Sequence, residues 1–171
     1  MSKYESIVPE NIASNTFEFH GASIEIETDS VWPYPGYEQY KFFNGFGATD
    51  NTPPPHFIGI KSSMPLIVDQ YDFTASWDRV YMTIKDYKIE SSMDSKTWDT
   101  LYTGMVPSTS LYDAKCEFEP TICKQIRCTI LSTYDERGYK WFQGCNFKIY
   151  GALAGLFLYT NPDAYGILKK E

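Results

Sequence analysis

Hydrophobic and polar positions alternate with a period of two in several short runs of this chain, which is how strands half-buried in a sheet read. Ala22, Ile24 and Ile26 alternate with Ser23, Glu25 and Glu27. Phe57–Lys61 is a short apolar run, and within Leu66–Ala75 the residues Tyr71, Phe73 and Ala75 share a phase. Tyr87, Ile89 and Ser91 face one way while Lys88 and Glu90 face the other. Ile126, Cys128 and Ile130 repeat the pattern, as do Cys145, Phe147 and Ile149. No long stretch carries a 3.6-residue apolar period. Short strands broken by turn signals predict an all-β antiparallel sandwich.

Between the strands the chain punctuates itself. Met93-Asp94-Ser95-Lys96 has turn chemistry, since an Asp side chain can bond the backbone ahead of it. Trp98 and Leu101 are expected to return to the core after it, closing a hairpin. Residues 31–40 interleave Trp32, Tyr34, Tyr37 and Tyr40 with two prolines and a glycine, so they predict a loop carrying aromatic rings. Gly45-Phe46-Gly47 reads as a tight glycine turn, because the third glycine of a nucleotide loop and a following helix are both missing. Thr103–Ala114 reads as loop. Residues 1–16 are expected to form an arm, 17–151 the sandwich domain and 152–171 a C-terminal extension. The extension holds an apolar cluster from Leu153 to Tyr159, suited to packing on its own domain or to docking on a protein partner or a second copy.

Three motifs occur in an order that resembles the discoidin family, also called coagulation-factor type C domains, within the galactose-binding-like jelly rolls. The first is the hairpin turn Ser92-Met93-Asp94-Ser95-Lys96-Thr97-Trp98, with Ser95 where the family prefers glycine. The second is the spacing of Leu66–Ala75 ahead of that hairpin. The third is the closing pair of strands, with Arg127, Gly138-Tyr139 and the ending Phe147-Lys148-Ile149-Tyr150-Gly151. The resemblance covers about residues 20–151 and implies a jelly-roll sandwich. The turn is expected to form with serine there, at roughly a few tenths of a kcal/mol more strain if that position needs a positive φ.

Charge and chemistry narrow the function. The 171 residues carry a formal net charge of −7 and no basic run, which disfavours a nucleic-acid partner. The N-terminus lacks the apolar core of a signal peptide, and no stretch is long enough for a membrane-spanning helix. Synthesis in a cytoplasm, with incorporation into a virion also compatible, is the expectation. The spacing of the four cysteines fits no common zinc pattern, so free buried thiols are expected ahead of a Cys116–Cys123 disulfide or a metal site. His20 and His56 are the two histidines, and neither belongs to a metal or nucleophile motif. No catalytic motif appears, and a non-enzymatic role is expected.

The resemblance also implies where a ligand would sit. The final strand must exit near residue 151, so the loop Ser132–Gln143 lies at the opposite end, where the family's binding loops protrude. That loop carries Tyr134, Arg137, Tyr139, Lys140 and Trp141, and the 31–40 loop joins it if the strand order follows the family. Candidate ligand-binding residues are Trp32, Tyr34, Tyr37, Arg137, Tyr139 and Trp141, because aromatic faces with a few hydrogen-bonding groups suit sugars. The alternative that the two tryptophans cap the core stays open. The family's structural calcium implies a carboxylate where this chain has Asn44 and another where it has Asn146, so no cofactor, or only weak calcium, is expected. The expected function is glycan recognition. The alternative is a structural block in an assembly such as a phage head or tail.

Overall fold

A computed structural model of the protein describes residues 4–31, 33, 35, 36, 38–45, 48, 49, 52–76, 83–107, 111–134 and 145–155. Eight strands follow in order: β1 (Glu5–Ser6), β2 (Thr16–Phe19), β3 (Ala22–Thr28), β4 (His56–Ser76), β5 (Asp86–Ser92), β6 (Asp99–Met105), β7 (Leu111–Ile130) and β8 (Cys145–Leu153). A 3-10 helix, Gln39–Asn44, interrupts the β3–β4 connection and ends on Gly45 at φ 79°; Phe46 and Gly47 of the expected glycine turn lie outside the described residues. Every strand pairing is antiparallel.

Two strands are long because each serves both layers of the sandwich. His56–Lys61 of β4 pairs with β3 and with Gln125–Ile130 of β7, which also pairs with β5. After a register break between Lys61 and Leu66, the rest of β4 pairs with β8 and with Leu111–Cys123 of β7. One layer therefore runs β2-β3-β4-β7-β5-β6, and the other β1-β8-β4-β7. A second slip between Val68 and Gln70 faces the Pro120 segment of β7, a residue that cannot donate to a ladder.

The alternating residues meet between these layers. Tyr71 Oη donates to the Ile58 carbonyl at 2.8 Å, tying the two halves of β4 across the core. Phe73 stands edge-on to Tyr87 of β5 with centroids 4.8 Å apart. Phe42, Tyr71 and Phe73 surround Phe147 at 6.4, 6.0 and 5.5 Å, so the helix is clamped to the start of β8. All four thiols are free and buried, and burial pushes Cys116, Cys123 and Cys145 up to about 12, which leaves them inert at neutral pH.

Three expectations change. Thr103–Met105 completes β6, and Leu111–Ala114 opens β7, so the segment read as loop is mostly strand. Ala114 and Cys116 are buried in one phase with exposed Asp113, Lys115 and Glu117 between them, a period-two pattern on an edge strand. The N-terminal stretch contributes β1 along β8 and buries Ile7, Val8 and Ile12 in the common core. Trp98 does not enter the core: it lies half-buried on the outer face with the Arg127 guanidinium 3.6 Å from its ring centroid. A charged partner fixed on that face by Glu90 is what holds it there.

The hairpin turn forms as its chemistry requires. Asp94 Oδ1 accepts from the backbone N–H groups of Thr97 and Lys96, each at 2.8 Å, and from Thr97 Oγ1 at 2.9 Å. These bonds hold its carboxyl down to about 2. Ser95 sits at φ 65°, the left-handed position where the resemblance prefers glycine.

Candidate ligand-binding site

Strand direction fixes which connections share an end of the sandwich. Ile58 at the start of β4 pairs with Thr28 at the end of β3, and His56 pairs with Ile130 at the end of β7. In the other layer Ala75, near the end of β4, pairs with both Cys145 and Tyr112. The connections 29–55, 77–85, 106–110 and 131–144 thus leave one end, while β8 exits at the other. The candidate residues Trp32, Tyr34, Tyr37, Arg137, Tyr139 and Trp141 lie outside the described residues; it is their flanking strand ends that emerge together.

Described residues brace the base of these connections. Asp29 Oδ1 accepts from the Phe57 N–H at 2.7 Å. Its other oxygen lies 3.3 Å from His56 Nδ1, and His56 Nε2 lies 3.0 Å from the Thr52 carbonyl oxygen. His56 is buried, so it ties two ends of the 29–55 connection together and does not face solvent. The Tyr40 N–H donates to Asn15 Oδ1 at 2.9 Å, fixing the helix against the lead-in to β2.

The start of the 131–144 connection is equally held. Ser132 Oγ donates to Asp86 Oδ2 at 2.5 Å, and Leu131 N–H to the Asp86 carbonyl at 2.8 Å. Tyr134 Oη donates to the Val106 carbonyl at 2.7 Å, so this loop tyrosine is spent on bracing. Met105, paired with Asp86, and Leu131 remain exposed at the same end, at 57% and 43%. The sequence signal for Met105 was an apolar residue at the last position of an otherwise polar-faced strand; Leu131, just past the end of β7, carried no such signal.

The two calcium positions implied by the resemblance do come together. Asn44 and Asn146 line one cavity of about 380 Å³ with Glu10, Asn11 and Lys148. Asn44 Nδ2 donates to the Ile12 carbonyl at 2.7 Å, which turns its Oδ1 inward, buried and without a hydrogen-bond partner. That oxygen is neutral, and Glu10 is the one carboxylate of the lining among the described residues. A calcium ion takes six to eight oxygens and is held tightly by several carboxylates. Among the described residues the lining falls short of such a donor set.

No family model matches the chain, and no curated protein matches it in sequence. Solved structures do match in fold. One is a family 32 carbohydrate-binding module from a family 31 glycoside hydrolase of Clostridium perfringens, with TM-score 0.61 and 19% identity over 75% of this chain and 90% of that one. A second C. perfringens family 32 module, solved in complex with GalNAc-β-1,3-galactose, has TM-score 0.60 and 12% identity over 74% and 94% of the two chains. A third, from NanJ of C. perfringens in complex with galactose, has TM-score 0.59 and 11% identity over 74% and 93%. The fold is the discoidin-like, galactose-binding-like jelly roll. No helix among the described residues is long and apolar enough to cross a membrane.

Proposed function

We propose that the protein is a non-catalytic carbohydrate-recognition domain that holds a glycan at the loop end of the sandwich. The observation that carries this reading is topological: the connections bearing the two aromatic-rich segments leave the same end, from strand ends braced by Asp29, His56, Asp86 and Ser132. A rigid base under adjacent loops keeps the ordering cost of binding low. The fold neighbours support the ligand class, two of them having been solved with galactose-containing sugars. In this reading Trp32, Tyr34, Tyr37, Tyr139 and Trp141 offer rings to sugar C–H faces, and Arg137 donates to hydroxyls.

The test is a glycan-array screen of the whole chain beside a Trp32→Ala/Trp141→Ala variant with verified fold. Binding by the wild type that the variant loses supports the reading. Absence of binding at high protein concentration, with and without calcium, would sink it and favour a structural role in a larger assembly. Unfolding of the variant would show that the two rings are core caps.

A further inference from the structure

The outward face of the β1-β8-β4-β7 layer is polar across three adjacent strands in strict register. Nearest the loop end, Thr74 of β4 pairs with Asp113 of β7 and Asn146 of β8. In the middle row, Asp72 pairs with Lys115 and Lys148. In the far row, Gln70 pairs with Glu117 and Tyr150. Neighbouring strands lie about 4.8 Å apart and alternate residues about 6.8 Å apart, so the three rows tile a patch of roughly 10 by 14 Å. The face is hollow over these rows, with a cavity of about 390 Å³. Asn146, Lys148 and Tyr150 also line the separate cavity of about 380 Å³ that Asn44 borders.

The lining is held before any ligand arrives. Gln70 Nε2 donates to Asp72 Oδ2 at 2.6 Å, and Thr74 Oγ1 to Asp113 Oδ1 at 2.8 Å. Three carboxylates and two ammonium groups nearly cancel, and each row sets acceptors beside donors or an aromatic hydroxyl. Such a surface matches a polyol, whose hydroxyls both donate and accept, better than it matches an ion. The chain's net charge of −7 further disfavours an acidic polymer.

We infer that this hollow face, spanning β7, β4 and β8, is a second binding site that takes a stretch of uncharged polysaccharide, separate from the loop end. Lys115 and Lys148 are its donors and Asp113 its exposed acceptor. The site does not rest on the loop-end reading.

Native affinity electrophoresis tests it, with galactomannan, xyloglucan or mixed-linkage β-glucan cast in the gel and alginate as the acidic arm. Wild type is expected to be retarded by at least one uncharged polymer. Lys115→Ala/Lys148→Ala should weaken that retardation about tenfold or more, as loss of two charged donors implies, while Trp32→Ala/Trp141→Ala should keep it. Asp113→Asn, at an exposed edge position, is the second variant if the lysine pair fails to fold. Retardation by no uncharged polymer, retention within about twofold in these variants, or retardation by alginate alone would overturn the site. Loss of retardation in the tryptophan variant alone would assign the polymer to the loops and remove this site, leaving the loop-end reading intact.

Discussion

Arg127 offers the sharpest test of how the hairpin is fastened to the sandwich. Its Nε and Nη2 donate to Glu90 Oε2, each at 3.1 Å, and its guanidinium lies 3.6 Å from the Trp98 centroid and 5.1 Å from that of Phe57. The Glu90 side chain is only 4% exposed, and it also accepts from Lys88 Nζ and Thr129 Oγ1, both at 2.6 Å. Breaking a buried pair costs about 3–5 kcal/mol because one charge is left stranded. Lys88 stays in Arg127→Met, which argues for the low end, and the lost stacking on Trp98 adds about 0.5–1 kcal/mol. The sum is about 3–4 kcal/mol. For a chain of this length that lowers Tm by roughly 6–16 °C.

Urea titration followed by far-UV circular dichroism measures the loss, and a cycle with Trp98→Ala should return a coupling of about 1 kcal/mol. Burial pushes the Glu90 carboxyl up, but bonds from Lys88 and Thr129 and the Arg127 charge outweigh it and hold the group below its ordinary value. Its folded pKa is depressed, so its stabilisation is complete above the unfolded value of about 4.3 and fades as pH falls through the folded one. The gap between wild type and Arg127→Met should therefore narrow from pH 7 toward pH 3. A destabilisation under about 1 kcal/mol at pH 7, or a gap that does not narrow, would refute the view that this pair fastens the hairpin.

Gly59→Ala should be among the most damaging single changes, since a Cβ there would lie 2.3 Å from the Ile126 carbonyl oxygen and 2.7 Å from Arg127 Cβ. A loss of about 3 kcal/mol or more, seen as insoluble expression or a much lower Tm, is expected; wild-type stability would show that the strands can part there. Asp94→Ala should lower Tm at neutral pH and lose that effect as pH falls toward about 2, because its carboxyl is held down to about 2 by the turn's N–H groups. A melting deficit unchanged at pH 2 would contradict that account. Calcium in millimolar excess over EDTA should leave Tm unmoved, given the amide-dominated cavity at Asn44 and Asn146; a shift of several degrees would show that a cation is held there after all.

Much of the sandwich was legible because period two is a local signal. The Ala22, Tyr87, Ile126 and Cys145 runs became β3, β5, part of β7 and β8 at the expected faces. Ser95 was legible for a different reason: it stands where the motif prefers glycine, and φ 65° is what the turn adopts. Trp98 misled because a tryptophan after a turn is usually core, whereas here the register Glu90–Arg127 supplies a cation on the outer face. The front of β7 was hidden by Gly104, Pro107 and the serines before it, although Ala114 and Cys116 kept phase.

The loop end and the hollow face differ in legibility for one physical reason. Loop residues are candidates through composition, since a run of rings between prolines stands out by itself. The hollow face is made by pairing, not by composition: Asp72, Lys115 and Lys148 are far apart in the chain and become one row only through the registers of β4 with β7 and β8. The slip between Val68 and Gln70 is what sets those registers, because a one-residue shift in a ladder sends every side chain to the other face. Without the slip, the phase that buries Leu66 and Val68 would carry on to Gln70 and Asp72, and Tyr71 would point outward. The irregularity therefore does two things at once: it brings Tyr71 under Phe147 in the core, and it places Gln70, Asp72 and Thr74 on the opposite face, where this central strand contributes one residue to each row of the polar hollow and Gln70 is itself buried.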